Sequence, residues 1–427
     1  MLYEPLIDVV FAVISPKLKK KYTEGYDERM GGPSSEKLSV LGGSRPLWIH
    51  GVSVGEVQAA IPIIREARSS GYNGPIVLST TTETGKAMAM RIADGLFDLH
   101  IYYPWDRRRF VMSALNAVDP WAFVTMETEL WPNMLWQLRD RGIPSFMANG
   151  RISDRTWKRF RSAIGRKVGG EIFGLFSEIC LREAQDRERL LTIGVPEQKL
   201  HVVGDTKIDA LMSRRDDAVR EALRADFGYP ERPIFMAGST HSGEDEEVLA
   251  AYNIVRTAVG NARLIIAPRH PERSDAVREL FKDKYLTAKM SENIDGWDVL
   301  IVDKIGVLFD LYGLALAAFV GGSFTDNGGQ NILEPASWGV PIQYGPHMED
   351  FAEASEDFLR LGIARRVNDG VSLAEVWKRI ALSRDTKKYK ELCSDYFAAR
   401  SGAAARTWEI LSSCTANEQD RKYPNHN

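Results

Sequence analysis

Short apolar runs rich in Val, Ile and Phe alternate with amphipathic stretches along most of the chain. In the first half the runs are Leu47–Val54, Ile76–Thr81, His100–Tyr103, Ala122–Met126, Ser145–Asn149, Glu178–Arg182 and His201–Gly204. Between them, stretches such as Val57–Arg68 and Asn133–Arg141 carry helical periodicity. Near-continuous apolar strands separated by helices predict a parallel sheet covered on both faces. The pattern lapses over Asp209–Arg232, a charged stretch ending in Tyr229-Pro230. It restarts with Ile234–Gly238, Arg263–Ala267, Val299–Val302, Ala318–Gly321 and Pro341–Tyr344. Helical segments follow from Leu373, and Thr415–Asn427 reads as a polar tail.

With 427 residues the chain fits two domains better than one core. The boundaries predicted are an N-terminal helix over 1–22, one α/β domain over 23–206, a linker over 207–232, a second α/β domain over 233–414, and a tail over 415–427. Two doubly wound, Rossmann-like domains put a cleft between the carboxyl ends of their sheets, where ligands bind. That arrangement resembles the GT-B glycosyltransferases.

Charge alters this picture little. Residues 1–205 carry 27 Lys and Arg against 24 Asp and Glu, and the remainder 28 against 34, so neither half is basic enough for a nucleic-acid protein. Cys180, Cys393 and Cys414 are far apart and odd in number, which suits a reducing compartment. The seven histidines show no HExxH or similar spacing and so predict no metal site. At the N-terminus, Pro5–Ile14 is apolar but short, contains Asp8, and is followed by Lys17, Lys19, Lys20 and Lys21. A spanning helix needs about 20 apolar residues. The segment therefore reads either as a helix lying on an anionic membrane surface or as an ordinary first helix docked on the protein.

The chemistry-bearing residues fall where strands hand over to helices. The first strand runs into Ser53-Val54-Gly55-Glu56, with Gly55 expected to allow a tight turn and Glu56 at a helix start. Thr80–Gly85 adds hydroxyls, Thr82 among them, some of which cap the next helix. Glu127 and Glu129 follow the fourth strand, with Pro132 suited to a first helical turn. Arg151 opens a basic run through Arg155, Lys158, Arg159, Arg161, Arg166 and Lys167, either a solvated helix face or a surface for lipid phosphates. In the second half, Ser239-Thr240-His241 precedes a helix and could hold an anion on backbone N–H groups. Arg269 suits a phosphate or carboxylate. Gly322 and Ser323 would let a backbone approach a ligand, and Glu334, near Asn331, could accept hydrogen bonds from a ribose.

These stretches closely resemble the Kdo transferase family of lipopolysaccharide assembly. The matching motifs are HGVSVGE (His50–Glu56), TTTETG (Thr80–Gly85), METELWPN (Met126–Asn133), NGRIS (Asn149–Ser153), GDTKID (Gly204–Asp209), AGSTHSGE (Ala237–Glu244), APRHPER (Ala267–Arg273) and the run from Gly328 to His347. The resemblance implies a GT-B fold and inverting, metal-independent transfer of Kdo from CMP-Kdo to lipid IVA at the cytoplasmic face of the inner membrane. It implies no cofactor, CMP-Kdo being a co-substrate. Carried over by position, Glu56 is the general base. Ser53, Gly55, Thr82, Glu127, Glu129 and Arg151 serve the acceptor. Lys207, Ser239, Thr240, His241, Arg269, Gly322, Ser323, Asn331 and Glu334 serve the donor. Asp205 and Gly150 depart from the family pattern, where Asn and Ala are usual. The N-terminal run is shorter than the family's usual anchor.

No D-x-D occurs, and Ile342 stands where a second Glu would follow Glu334 in many retaining enzymes of this fold. A UDP-sugar transferase or a sugar-nucleotide epimerase is the alternative on the same fold, and a membrane-associated binding or scaffold protein a more distant one.

Overall fold

The computed structural model describes residues 3–92, 95–227, 232–292, 296–383 and 386–422. The chain forms two compact units, Met1–Ala210 with Arg400–Asn427, and Leu211–Ala399. Among the described residues each is built on a seven-stranded, all-parallel sheet.

The first sheet contains β1 (Leu47–His50), β2 (Ile76–Thr80), β3 (Leu99–Tyr102), β4 (Ala122–Met126), β5 (Ser145–Gly150), β6 (Glu178–Leu181) and β7 (Leu200–Val202). Its order is β3-β2-β1-β4-β5-β6-β7. Every position of β1, β2, β4 and β5 is buried, because helices cover both faces. On one face Leu47 and Ile49 pack with Val57, Ala60 and Ile64 of the helix Val54–Ser69. On the other, Trp48, Val77 and Phe123 pack with Val111, Leu115, Met134 and Leu138.

The C-terminal helix Ala403–Lys422 joins the first of these cores through Ala404, Trp408 and Leu411. This corrects the predicted boundaries, which left residues up to 414 with the second domain. The apolar stripe of that helix finds its partner on Val54–Ser69, and burying a residue such as Leu411 is worth about 1.5–3 kcal/mol. Asp209 holds the return of the chain, accepting the N–H groups of Gly402 and Ala404 at 2.7 Å each. The helix runs eight residues into the stretch read as a tail; Tyr229-Pro230 and the last five residues lie outside the described residues.

The second sheet contains β8 (Ile234–Thr240), β9 (Arg263–Pro268), β10 (Thr287–Lys289), β11 (Val299–Ile301), β12 (Ala317–Val320), β13 (Ile342–Tyr344) and β14 (Ala364–Arg366), in the order β10-β11-β9-β8-β12-β13-β14. Five of the seven were predicted. The two that were not, β10 and β14, are three-residue strands at the two edges of the sheet. An edge strand needs no continuous apolar run, and Ala364-Arg365-Arg366 has two exposed positions. The stretch read as a linker divides: Thr206–Met212 begins as a helix in the first unit, while Asp217–Asp226 is a helix of the second, capped by Asp216.

The N-terminal helix Tyr3–Lys21 is docked on the protein along one side. Asp8 pairs with Arg107 and Phe11 packs edge-on against Phe110, docking one side. Val9, Val10, Val13 and Ile14 are exposed on the other. No helix among the described residues is long and apolar enough to cross a membrane.

Candidate active site

Both sheets reverse their direction of winding at one point, between β1 and β4 in the first unit and between β8 and β12 in the second. Loops at the carboxyl ends of such neighbouring strands are the natural ligand sites of this architecture.

In the first unit β1 ends at His50 and Gly51 follows. A Cβ on Gly51 would lie 3.2 Å from the backbone of Glu56 and Val57, so the chain can fold tightly over the helix start there. Gly55, expected to supply the turn, is inside the helix at an ordinary φ, and a Cβ there would meet only Lys207 Nζ at 3.8 Å. Glu56 is buried. Its Oε2 accepts the N–H of Val52 at 2.7 Å, and its Oε1 accepts the hydroxyl of Ser53 at 3.1 Å. Burial raises the carboxyl above its ordinary range and the charge of Glu127 adds to this; the Val52 N–H, Ser53 and Lys207 oppose it.

Glu127 follows β4 with φ 56°, a left-handed conformation uncommon outside glycine. Its N–H continues the ladder to Ala148 at 2.8 Å, so the side chain turns out of the strand. Lys207, placed on the donor side by resemblance, forms an ion pair with Glu127 at 2.5 Å within the first unit. Buried bonds fix the segment carrying it. Thr206 donates its N–H to Asn149 Oδ1 at 2.9 Å and its hydroxyl to Ala59 at 2.8 Å, and Asp205 pairs with Arg182 at 2.7 Å. Glu129 has no cation partner among the described residues. Burial, with the charges of Glu56 and Glu127, pushes its carboxyl up to about 7. Glu129 is therefore about half protonated near neutrality. Replacing Glu129 with Gln should remove the inflection near pH 7 from a kcat/KM profile and leave the acid limb to Glu56. An unchanged profile would show that Glu129 lies outside the reacting cluster.

Thr82 caps the helix Glu83–Ile92, accepting the Gly85 N–H at 3.0 Å, and donates to the Val52 carbonyl at 3.2 Å. It therefore supports the loop that holds Glu56, and its hydroxyl is already engaged. Arg151 is exposed and tied to the acidic loop through its backbone, which pairs with the Thr128 hydroxyl. Sequence reasoning missed Arg29. It is fully buried between the rings of Tyr22, Tyr102 and Trp105, and its Nη2 donates to the Thr81 carbonyl at 2.8 Å.

In the second unit β8 continues past its predicted end through a register shift between Gly238 and Thr240. Ser239, at φ 57°, occupies the irregularity. The carbonyl of the buried Thr240 accepts the N–H of Arg269 at 2.9 Å and Arg273 Nη1 at 3.0 Å. The Arg269 side chain is exposed. Burial lowers the proton affinity of His241, whose Nε2 has no hydrogen-bond partner among the described residues.

The residue that organises these loops is Glu244, the last residue of the Ala237–Glu244 motif. It is fully buried. Its Oε2 accepts the N–H groups of His241 at 2.8 Å and Gly322 at 2.7 Å, and its Oε1 those of Ser323 and Phe324 at 2.9 Å each. The N–H groups of Gly322 and Ser323, both expected on the donor side, are therefore already taken. The Ser323 hydroxyl is also committed, donating to Val320 at 2.6 Å and accepting from Gly345 at 2.9 Å. Gly321 is required by packing, since a Cβ would lie 2.5 Å from the Ser239 carbonyl. Asn331 caps the helix Leu333–Ser337 through the Leu333 N–H at 3.1 Å. Glu334, on that helix, pairs with Arg214 at 3.2 Å.

A UDP-GlcNAc 2-epimerase from Neisseria meningitidis matches with a TM-score of 0.60 and 14% identity, over 86% of this chain and 100% of that one, a likeness of fold alone. Two parallel-sheet units of this kind are the GT-B frame. A family model described as 3-deoxy-D-manno-octulosonic-acid transferase (kdotransferase) matches residues 24–210. The 3-deoxy-D-manno-octulosonic acid transferase of Haemophilus influenzae is 34% identical over 363 residues, 83% of this chain and 82% of its own. That of Bordetella pertussis is 30% identical over 380 residues, 86% of each chain. The chain belongs to the Kdo transferase family and is a glycosyltransferase.

Proposed function

We propose that the protein transfers Kdo from CMP-Kdo to lipid IVA with inversion and without a metal, and that Glu56 is the general base. The observation that carries this reading is the Glu56 carboxylate itself: buried at the switch point, oriented by Val52 and Ser53, and raised in proton affinity by its surroundings. An acceptor hydroxyl within about 3 Å of it loses its proton as its oxygen attacks the anomeric carbon of Kdo. The bond from that carbon to the CMP phosphate breaks on the opposite side, and CMP leaves with the electron pair. Gly322 and Ser323 already spend their N–H groups on Glu244. The departing charge therefore falls to Arg269 and to His241, whose Nε2 has no partner among the described residues. The test is release of CMP from CMP-Kdo that requires lipid IVA and persists in EDTA, with mass analysis of the lipid product. Turnover of a UDP-sugar in its place would overturn the reading.

The acceptor is a lipid, and the exposed face of the N-terminal helix suits the cytoplasmic surface of an anionic inner membrane. Val9, Val10, Val13 and Ile14 lie just before Lys17, Lys19, Lys20 and Lys21. The helices Asp154–Phe160 and Ala163–Phe173 repeat this chemistry, with Ile164 and Val168 exposed among Arg159, Arg161, Arg166 and Lys167. Changing Val9 and Val13 together to Asp should cut co-sedimentation with phosphatidylglycerol vesicles about tenfold and leave CMP binding unchanged. Unaltered sedimentation would remove this helix from the membrane contact.

A further inference from the structure

Arg214 lies outside every motif that carries the family resemblance, in the charged stretch read as a linker. Its guanidinium sits 4.1 Å from the centroid of the Phe309 ring, and its Nη1 meets Glu334 Oε1 at 3.2 Å. The seat is rigid. Phe309 is buried, packs against Trp338 at 5.5 Å between centroids, and accepts the Trp338 indole N–H on its carbonyl at 2.8 Å. Arginine held on an aromatic face has lost most of its rotamer freedom before it pairs. Glu334 Oε2 makes no hydrogen bond or ion pair among the described residues. The carboxylate thus has one oxygen clamped by a cation and one open, and its side chain is 18% exposed, enough to be reached.

We propose that Arg214 is a positioning residue for the donor nucleotide: seated on Phe309, it fixes Glu334 in one orientation so that Oε2 accepts the ribose hydroxyls. This rests on the reading of Glu334 as a ribose acceptor. Arg214 does not itself touch the reacting atoms.

The environment of Glu334 supplies a readout that a purely structural role would not move. Burial raises its carboxyl above the ordinary range, Asp310 of the helix Leu308–Tyr312 raises it further, and Arg214 opposes both. Tyr312 is the other titratable group facing it. Removing Arg214 takes away the opposing cation, so the carboxyl rises and protonates at a higher pH than in the parent. A protonated Glu334 offers fewer acceptor sites, so the defect should grow as pH falls.

The experiment is calorimetric titration of the full-length protein with CMP, comparing each variant with the parent at the same pH so that ionisation of the ligand cancels. Arg214→Ala should weaken CMP about tenfold near pH 6.5 and about two- to threefold near pH 8.5, and Arg214→Lys should recover most of the loss. Glu334→Gln should weaken CMP at both pH values. If Glu334→Gln is weakened while Arg214→Ala matches the parent, or loses the same factor at both pH values, this inference is overturned and the ribose reading stands. If Glu334→Gln binds like the parent, the ribose reading falls and the inference with it. A thermal melt of each variant confirms that the folded protein is being titrated.

Discussion

Glu56→Gln is expected to lower kcat by about 10²–10⁴-fold, the range that loss of a general base commonly produces, while CMP-Kdo binds within about twofold of the parent. Glutamine keeps the shape of glutamate, and its carbonyl oxygen can still accept the Val52 N–H that holds the loop at 2.7 Å in the parent. The Ser53 hydroxyl can rotate to suit an amide, so the fold survives. What disappears is the ability to take a proton. The pH profile should show the same group. Burial raises the Glu56 carboxyl, so the ionised base fills only as pH climbs through that elevated value. The acid limb of kcat/KM should therefore lie above the ordinary carboxylate range. Single-turnover transfer measured beside donor titration decides the matter. If donor affinity falls as far as the rate, Glu56 is a binding residue and the base lies elsewhere.

The second large effect is on the fold of the donor-side loops. Glu244→Ala should leave four backbone N–H groups without their acceptor, those of Gly322 and Ser323 buried and those of His241 and Phe324 part-buried. Each of the two buried groups costs about 1–3 kcal/mol, so the loss should be about 2–6 kcal/mol, a large share of a domain's stability. The isosteric Glu244→Gln tests the geometry more sharply. Each carboxylate oxygen accepts two N–H groups, so whichever way the amide is turned its NH2 end faces two donors. About half the loss should remain, and CMP binding should weaken with it, because the loops after β8 and β12 share this one acceptor. Urea unfolding of the second unit, followed through Trp338 and Trp377, measures the effect. A Gln variant as stable as the parent would mean that the loops find other partners and that Glu244 is dispensable.

The arrangement of β1, β4, β8 and β12 was legible because central parallel strands are buried on both faces and must be apolar throughout. The edges β10 and β14 were not, since a three-residue strand with one covered side leaves no pattern. Glu56, Glu127 and Glu129 could be picked out because they follow apolar runs where a carboxylate would otherwise be expensive. The ion pair of Lys207 was not legible, because its nearest sequence landmark was a linker. Its partner Glu127 is 80 residues away, and only the packing of Thr206 against Asn149 and Ala59 brings them together. Glu244 was passed over for a related reason. An acidic residue at a helix start has an ordinary explanation in the helix dipole, and nothing local reveals that loops as far as Phe324 converge on it.

The sequence by itself determined the two α/β units, the face of each sheet that carries chemistry, and the family, because periodicity and short motifs are local properties of the chain. Only the tertiary structure decided which polar groups are spent on the protein and which remain for a ligand. Pairing partners lie far apart along the chain, so the commitments of Gly322, Ser323 and Lys207, the Glu334 oxygen left without a partner among the described residues, and the docking of the C-terminal helix on the first unit follow from distances that no local pattern encodes.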